Sequence, residues 1–313
     1  MNLQQFRYVL EVARRNLNVS EAAEALHTSQ PGVSKQIRAL EEELGVDLFV
    51  RQGRRFVAVT DAGREVLGSI ERILSELANM KSIGAEHADE SKGHLAVAVT
   101  HTQARYALPA VVTAFKKRFA NVKLKLLQGN PHQLARMVID GEADVAIATE
   151  ALDDYSELVT VPCYSWHHCV VVPDGHPLIA EKPLTLEAIA KYPIITYDPT
   201  FAGRTAIDKA FAARGLEPEV ALSALDSDVI KSYVTLGLGV GIISQRAYRE
   251  GKDEGLVALS TDHLFPTQTT RLAYRRGAYL RGYMVEFIRL FAPNVRAEDL
   301  RQMATAQGAD FSI

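Results

Sequence analysis

The sequence predicts an α/β protein in three parts: a small three-helix unit with a hairpin, one long helix, and a two-lobed α/β domain. Three observations predict it. Over the first 58 residues apolar positions recur at helical spacing and end in a short hairpin signal. One unbroken helical pattern follows. From residue 94 onward strand and helix patterns alternate, the order that builds a parallel sheet.

Size and composition permit this. A chain of 313 residues can hold two or three cores, and 47% hydrophobic with 23% charged residues is ordinary globular composition. No apolar run approaches the roughly 20 residues that span a membrane. The start, MNLQQFRYVLEVARR, shows no charged leader, apolar block and cleavage site, so a cytoplasmic protein with no membrane partner is expected. Two cysteines, Cys163 and Cys169, make no disulfide framework. A net charge of −3 argues against all-over electrostatic binding of nucleic acid but leaves room for a local basic face.

Leu3, Phe6, Leu10 and Ala13 place a first helix over 2–15. Val19, Ala22, Ala23 and Leu26 form the stripe of a short second helix, capped by Asn18 or Ser20. His27-Thr28-Ser29 is a turn, and Pro31 sits at the start of a third helix, where its missing N–H costs nothing. Val33, Ile37, Leu40 and Leu44 are that helix's core face, and Gly45 ends it. Its other face carries Ser34, Lys35 and Arg38, with Ser29 and Gln30 at the mouth. A recognition helix places residues of this kind on base edges: Gln pairs with adenine, Arg or Lys with guanine, and Ser suits phosphate. VDLFVRQGRRFVAVT then reads as a hairpin with Arg51, Arg54 and Arg55 at its tip, a wing suited to the minor groove or the DNA backbone. The alternative for any one of these features is an ordinary helical core with solvated arginines. Their joint order points to a winged helix-turn-helix over 1–58 that binds a double-stranded DNA operator.

AAEALHTSQPGVSKQIRALEEELGVDLFVR resembles the N-terminal domain of LysR-type transcriptional regulators at Ala22-Ala23, Ser29-Gln30-Pro31, Ser34, Ile37, Leu40-Glu41 and Leu48-Phe49-Arg51. Thr60-Asp61 starts the next helix, over 59–88. Val66, Ile70, Ile73, Leu77 and Met80 follow at spacings of 4, 3, 4 and 3, a heptad seam. Such a seam packs on its own domain or pairs two subunits. The resemblance implies a linker helix that dimerises, and a homotetramer. Polar SIGAEHADESKG marks the boundary to a third part over 89–313.

In that part HLAVAVT, VKLKLLQG and DVAIATE read as strands separated by helices. Ligands bind beyond the carboxyl ends of such strands. Thr100, His101, Thr102 and Gln103 follow the first strand, and Thr149-Glu150 the third. Hydroxyls, an amide and helix N-termini suit a small anion without a cationic side chain. The alternative for each threonine alone is a cap or a solvent contact. Lobe I is expected over about 94–161 and 268–292, and lobe II over about 162–267, with a cleft between them.

THTQARYALP, ATEAL, Trp166, GRTAIDKAF and DSDVIKSYVTLGLGVGIIS resemble the CysB-type branch of the family, regulators of sulfur assimilation. The resemblance implies a two-lobed, periplasmic-binding-protein-like effector domain with the effector on Thr100, Thr102, Gln103, Thr149 and Trp166. It implies O-acetylserine, N-acetylserine or a sulfate-like anion as effector, no other cofactor, activation of cysteine-biosynthesis genes, and RNA polymerase as a partner at activated promoters. One position departs: the branch's Phe-Thr-Gly-Arg segment reads Phe201-Ala202-Gly203-Arg204 here. The lost hydroxyl predicts weaker anion binding, a replacement donor such as Thr200, or a different effector. A relative tuned to sulfonate use or sulfate starvation, or a repressor, fits the same features. A transporter's solute-binding protein fits the lobes alone, not the first 90 residues.

Three other signals are set aside. CYSWHHC resembles a metal site, but in an extended strand Cys163 and Cys169 stand about 20 Å apart at roughly 3.3 Å per residue, too far for one ion or a disulfide. GLGVGI, 237–242, leads into a strand, the reverse of a dinucleotide fingerprint, and fits close helix–strand packing. His101 has no GxSxG, HExxH or paired carboxylates to serve it, so no catalytic residue, metal or enzyme activity is expected.

Overall fold

The computed structural model describes residues 1–53, 55–88, 92–149 and 151–305; Arg54 and Glu150, singled out above, lie outside them. The chain divides into two compact units, Met1–Ala85 with Gly277–Tyr279, and the remainder.

The first unit opens with α1 (Leu3–Arg14), α2 (Val19–Ala25) and α3 (Gln30–Leu44). The Asn18 side chain caps α2 by accepting from the Ser20 and Glu21 amides, and the Ser29 hydroxyl caps α3 by accepting from Gly32. Gly45 closes α3 at φ 72°, a left-handed turn natural to glycine. Leu10, Ala22, Ala23, Val33, Ile37 and Leu40 are buried together as their spacing predicts, but on α1 the core also takes Val9 and Val12, while Leu3 is 40% exposed. β1 (Phe49–Gln52) and β2 (Arg55–Val59) pair antiparallel as the wing. α4 runs from Asp61 to Ala88. Its first turn lies so close to the wing that a Cβ on Gly63 would stand 2.1 Å from the Leu48 carbonyl, so only glycine fits.

The heptad seam divides in two. Ile70 is buried in the core of the winged unit, and Val66 packs on the same core. Ile73 and Met80, further along, are 43% and 67% exposed. One helix thus packs on its own domain over its first turns and then carries an uncovered apolar row.

The second unit contains β3 (Gly93–Val99), α5 (Leu108–Arg118), β4 (Val122–Gln128), α6 (Pro131–Ile139), β5 (Val145–Ala148) and β6 (Leu158–Trp166). There follow β7 (His168–Pro173), α7 (Leu186–Ile189), β8 (Ile194–Tyr197), α8 (Ala202–Ala212), β9 (Val220–Ala224), α9 (Ser227–Thr235), β10 (Val240–Ser244) and β11 (Leu256–Ser260). β12 (Gln268–Arg275), α10 (Gly282–Phe291) and α11 (Ala297–Thr305) close the chain. Lobe I is the sheet β4-β3-β5-β12-β6 and lobe II the sheet β11-β7-β10-β8-β9. β3 runs parallel to β4 and β5, and β8 parallel to β9 and β10.

Some boundaries differ from the sequence reading. β6 stays in lobe I through Trp166, which pairs with Gln268 of β12, so the crossover falls at His167 rather than after 161. The helix after β3 begins as a π-helical turn, Gln103–Ala107. Pro109 follows it; having no N–H and a ring that crowds the carbonyl four residues back, proline favours such a widened turn. α10 starts at Gly282 instead of 279 because Arg281 is extended (ψ 151°). α11 was not anticipated. The Gly-rich 237–242 segment behaves as expected: a Cβ on Gly241 would meet Val171 at 2.5 Å and Val234 of α9 at 2.8 Å.

Candidate functional site

Two groups of candidate residues fall in two places. On α3, Gln30, Lys35 and Arg38 are exposed and Ser34 half-buried, on the side opposite Val33, Ile37 and Leu40. Lys35 and Arg38 have no ion pair among the described residues, so their charge is open to an outside anion. Ser29 spends its hydroxyl oxygen on the cap, and Pro31 fills the first turn where no donor is needed. On the wing Arg55 is exposed. Arg51 is otherwise engaged. Its guanidinium bonds Glu41, which is 4% exposed and accepts the Leu48 and Phe49 amides at 2.8 and 3.3 Å. Asp47 stands 3.5 Å away on its other side. Arg51 therefore ties the wing to α3, a role that residue type and position alone did not separate from DNA contact.

In the second unit Thr100, Thr102, Gln103, Thr149 and Trp166 line one cavity with Tyr197, Phe201, Gly203 and Ser244. The topology explains the convergence. Thr100, Thr149 and Trp166 stand at the carboxyl ends of β3, β5 and β6; Tyr197 and Ser244 stand at those of β8 and β10. Pro131 at the start of α6 and Gly203 in the first turn of α8 also line this space, and no cationic side chain does. The cavity leaves about 40 Å³ for the centres of water-sized molecules, room for a few waters or a compact anion. A wider open groove of about 500 Å³ runs along α8 past Lys209, Leu264 and Pro266, but no strand end and few polar groups converge there.

The polar lining is unequally committed. Gln103 is 5% exposed; its carboxamide oxygen accepts from Tyr164 and its nitrogen donates to Thr270 at 3.2 Å. Tyr197 accepts the Ser244 amide at 2.8 Å and shares a 2.8 Å hydrogen bond with Ser227, while burial pushes its phenol up to about 12. The buried indole N–H of Trp166 has no partner among the described residues. Behind Trp166, His168 is 1% exposed, and burial holds its imidazole down to about 4, so it is neutral. Ala202 heads α8 between Phe201 and Gly203. Thr200 does not replace the missing hydroxyl: it is exposed and donates to Asp198 at 2.6 Å. Tyr197 and Ser244 went unnamed in the sequence, although the strand-end rule that found Thr100 applies equally to lobe II.

The other signals resolve simply. Cys163 and Cys169 are free, buried in different lobes, and burial pushes both thiols up to about 12. His101, Asp226 and Asp228 bring ligand atoms within 4.8 Å of one another. Asp226 caps α9, however, and Asp228 is taken by Arg105 and Lys231.

Residues 3–64 match the bacterial regulatory helix-turn-helix protein, lysR family, and residues 88–296 match the LysR substrate binding domain. The chain belongs to the LysR family of transcriptional regulators. The family is a DNA-binding class, not an enzyme class, and the helix-turn-helix is its DNA-binding part. The HTH-type transcriptional regulator CysB of Burkholderia cenocepacia is 51% identical over 313 residues, 100% of each chain. SsuR of the same organism is 53% identical over 300 residues, covering 96% of this chain and 97% of the relative. The crystal structure of the cofactor-binding domain of the Cbl regulator superposes with a TM-score of 0.66 at 46% identity, over 68% of this chain and 93% of that one. For this LysR regulator, the two site groups thus fall in the two parts of the family's architecture. No helix among the described residues is long and apolar enough to cross a membrane.

Proposed function

We propose that this regulator activates sulfur-assimilation and cysteine-biosynthesis genes when a small effector, an acetylserine or a sulfate-like anion, occupies the strand-end cavity. The carrying observation is the convergence of Thr100, Thr102, Gln103, Thr149 and Trp166 on one cation-free cavity. Full-length relatives named CysB and SsuR, at 51% and 53% identity, support the same reading. Gln30, Ser34, Lys35 and Arg38 read the operator, the wing arginines serve its minor groove or backbone, and RNA polymerase is the partner at activated promoters. The exposed row of Ile73 and Met80 fits a homodimer through α4, and two such dimers a tetramer. The test is calorimetry of the full chain with O-acetylserine, N-acetylserine, sulfate, thiosulfate and adenylyl sulfate. Binding of one of the first three supports the reading; binding of none overturns the effector assignment.

The near-equal identities to CysB and SsuR favour a second reading, a regulator in the same branch with a different sulfur-containing effector. Ala202 bears on the choice. If the effector is an anion, Ala202→Thr adds a hydroxyl at the head of α8 and tightens sulfate binding by roughly two- to tenfold, the worth of one neutral hydrogen bond. Unchanged sulfate affinity in that variant favours the different effector.

A further inference from the structure

Tyr106 belongs to the π-helical turn of lobe I, yet its ring packs on the lobe II cluster of Cys169, Ile195, Ile230 and Val234. Its hydroxyl donates to Asp228 at 2.6 Å and accepts from the Lys231 ammonium at 3.0 Å. Lys231 is only 7% exposed, and its other two protons go to the Ala247 carbonyl at 2.8 Å and Asp253 at 2.7 Å. A buried lysine of one lobe therefore has its hydrogen-bond shell completed by a phenol of the other. Around the ring, Arg249 and Lys231 stand 5.1 and 5.4 Å from the centroid, and Arg105, also from lobe I, pairs with Asp228 at 2.6 Å.

We propose that Tyr106 is a positioning residue of the effector cleft, a latch from lobe I to lobe II that holds the cleft closed on its ligand. The proposal rests on the reading of that cleft as the effector site. Two connections couple latch to ligand. Gln103, which lines the cavity, shares the five-residue π turn with Tyr106, so a shift of one carries the other. On the far side α9 carries both latch partners, Asp228 and Lys231, and also Ser227, which bonds the cavity-lining Tyr197. When the lobes part, Lys231 loses one acceptor and Asp228 one donor. Hydrogen bonds to charged groups are worth a factor on the order of ten to a hundred in an equilibrium, so the latch sets the closed fraction. A ligand that needs both lobes binds in proportion to that fraction.

The experiment measures the distance between spin labels at His132→Cys and Thr205→Cys, which flank the cavity on α6 and α8, by pulsed electron resonance in the full-length protein. The native thiols are buried and do not compete. Without ligand the parent gives one narrow distance. Tyr106→Phe, which keeps the ring, adds a longer population; Asp228→Asn does the same, and the two changes together add little more. Sulfate restores the short distance in Tyr106→Phe with an apparent affinity about tenfold weaker than in the parent. If Tyr106→Phe and Asp228→Asn leave the ligand-free distances unchanged, the latch is refuted whatever sulfate does. If the distances lengthen but sulfate binds neither protein, the latch stands and the anion reading of the cleft falls.

Discussion

At the scale of residues, Glu41 and Arg51 separate structure from recognition in the winged domain. Both resemble surface charge in the sequence, and Arg51 lies in a cluster that suggests DNA. Yet Glu41 is 4% exposed and accepts two backbone amides as well as the guanidinium. Arg38, exposed and without an ion pair among the described residues, keeps its charge open to an outside anion. Arg38→Ala is expected to weaken specific operator binding by roughly ten- to a hundredfold, the worth of a bidentate base contact, with melting unchanged; retained footprints would remove α3 as the reading helix. His168 supplies a second prediction, in pH. Its folded value, about 4, lies below the ordinary 6.5, so the unfolded chain binds the extra proton between them. Stability is therefore full above about pH 6.5 and falls with acidification toward pH 4, by at most about 3 kcal/mol. Thermal melting of His168→Phe should show a flatter acid limb; an unchanged limb would assign the acid sensitivity to other groups.

At the scale of elements, α4 and the π turn show where patterns stop being sufficient. The α4 seam was legible because apolar residues at spacings of 4 and 3 define a face, but the pattern does not say what covers it. Ile70 is buried by its own domain, and Met80, ten residues on, is not. Met80→Glu is accordingly expected to shift the oligomer toward smaller species in analytical ultracentrifugation while the winged domain melts as before, whereas Ile70→Glu unfolds that domain. Unaltered sedimentation of Met80→Glu would move the subunit contact off α4. The helix after β3 was legible too, but not its widened first turn. Pro109 favours that turn, which sets Tyr106 against the other lobe, a tertiary result with no periodic signature. Strand ends were the strongest functional signal: β3 and β5 led to Thr100 and Thr149, and applying the rule to β8 and β10 leads to Tyr197 and Ser244.

At the scale of the whole molecule, a DNA-binding regulator of net charge −3 has no overall positive field to hold DNA, so the proposed reading rests on a local face. Exposed Lys35 and Arg38 on α3 and Arg55 on the wing supply such a face, while the strand-end cavity is lined by hydroxyls, an amide and apolar groups with no lining cation. The fold class, the two lobes and the convergence of Thr100, Thr102, Gln103, Thr149 and Trp166 on one cavity were legible because spacing, caps and strand ends are local properties. The commitment of Arg51 and the closure through Tyr106 were not, because both depend on partners distant in sequence. The central claim is that a ligand in the strand-end cavity changes how the chain holds DNA, which requires unequal affinity for two arrangements. The most direct measurement is footprinting and anisotropy titration of the full chain on a cysteine-biosynthesis promoter, with and without O-acetylserine, N-acetylserine and sulfate. The account predicts that one of these ligands shifts the footprint or the affinity several-fold in the parent. It predicts no such shift in Thr100→Val, which binds the promoter normally without ligand. Identical footprints with every ligand, or a Thr100→Val protein that responds like the parent, would contradict it.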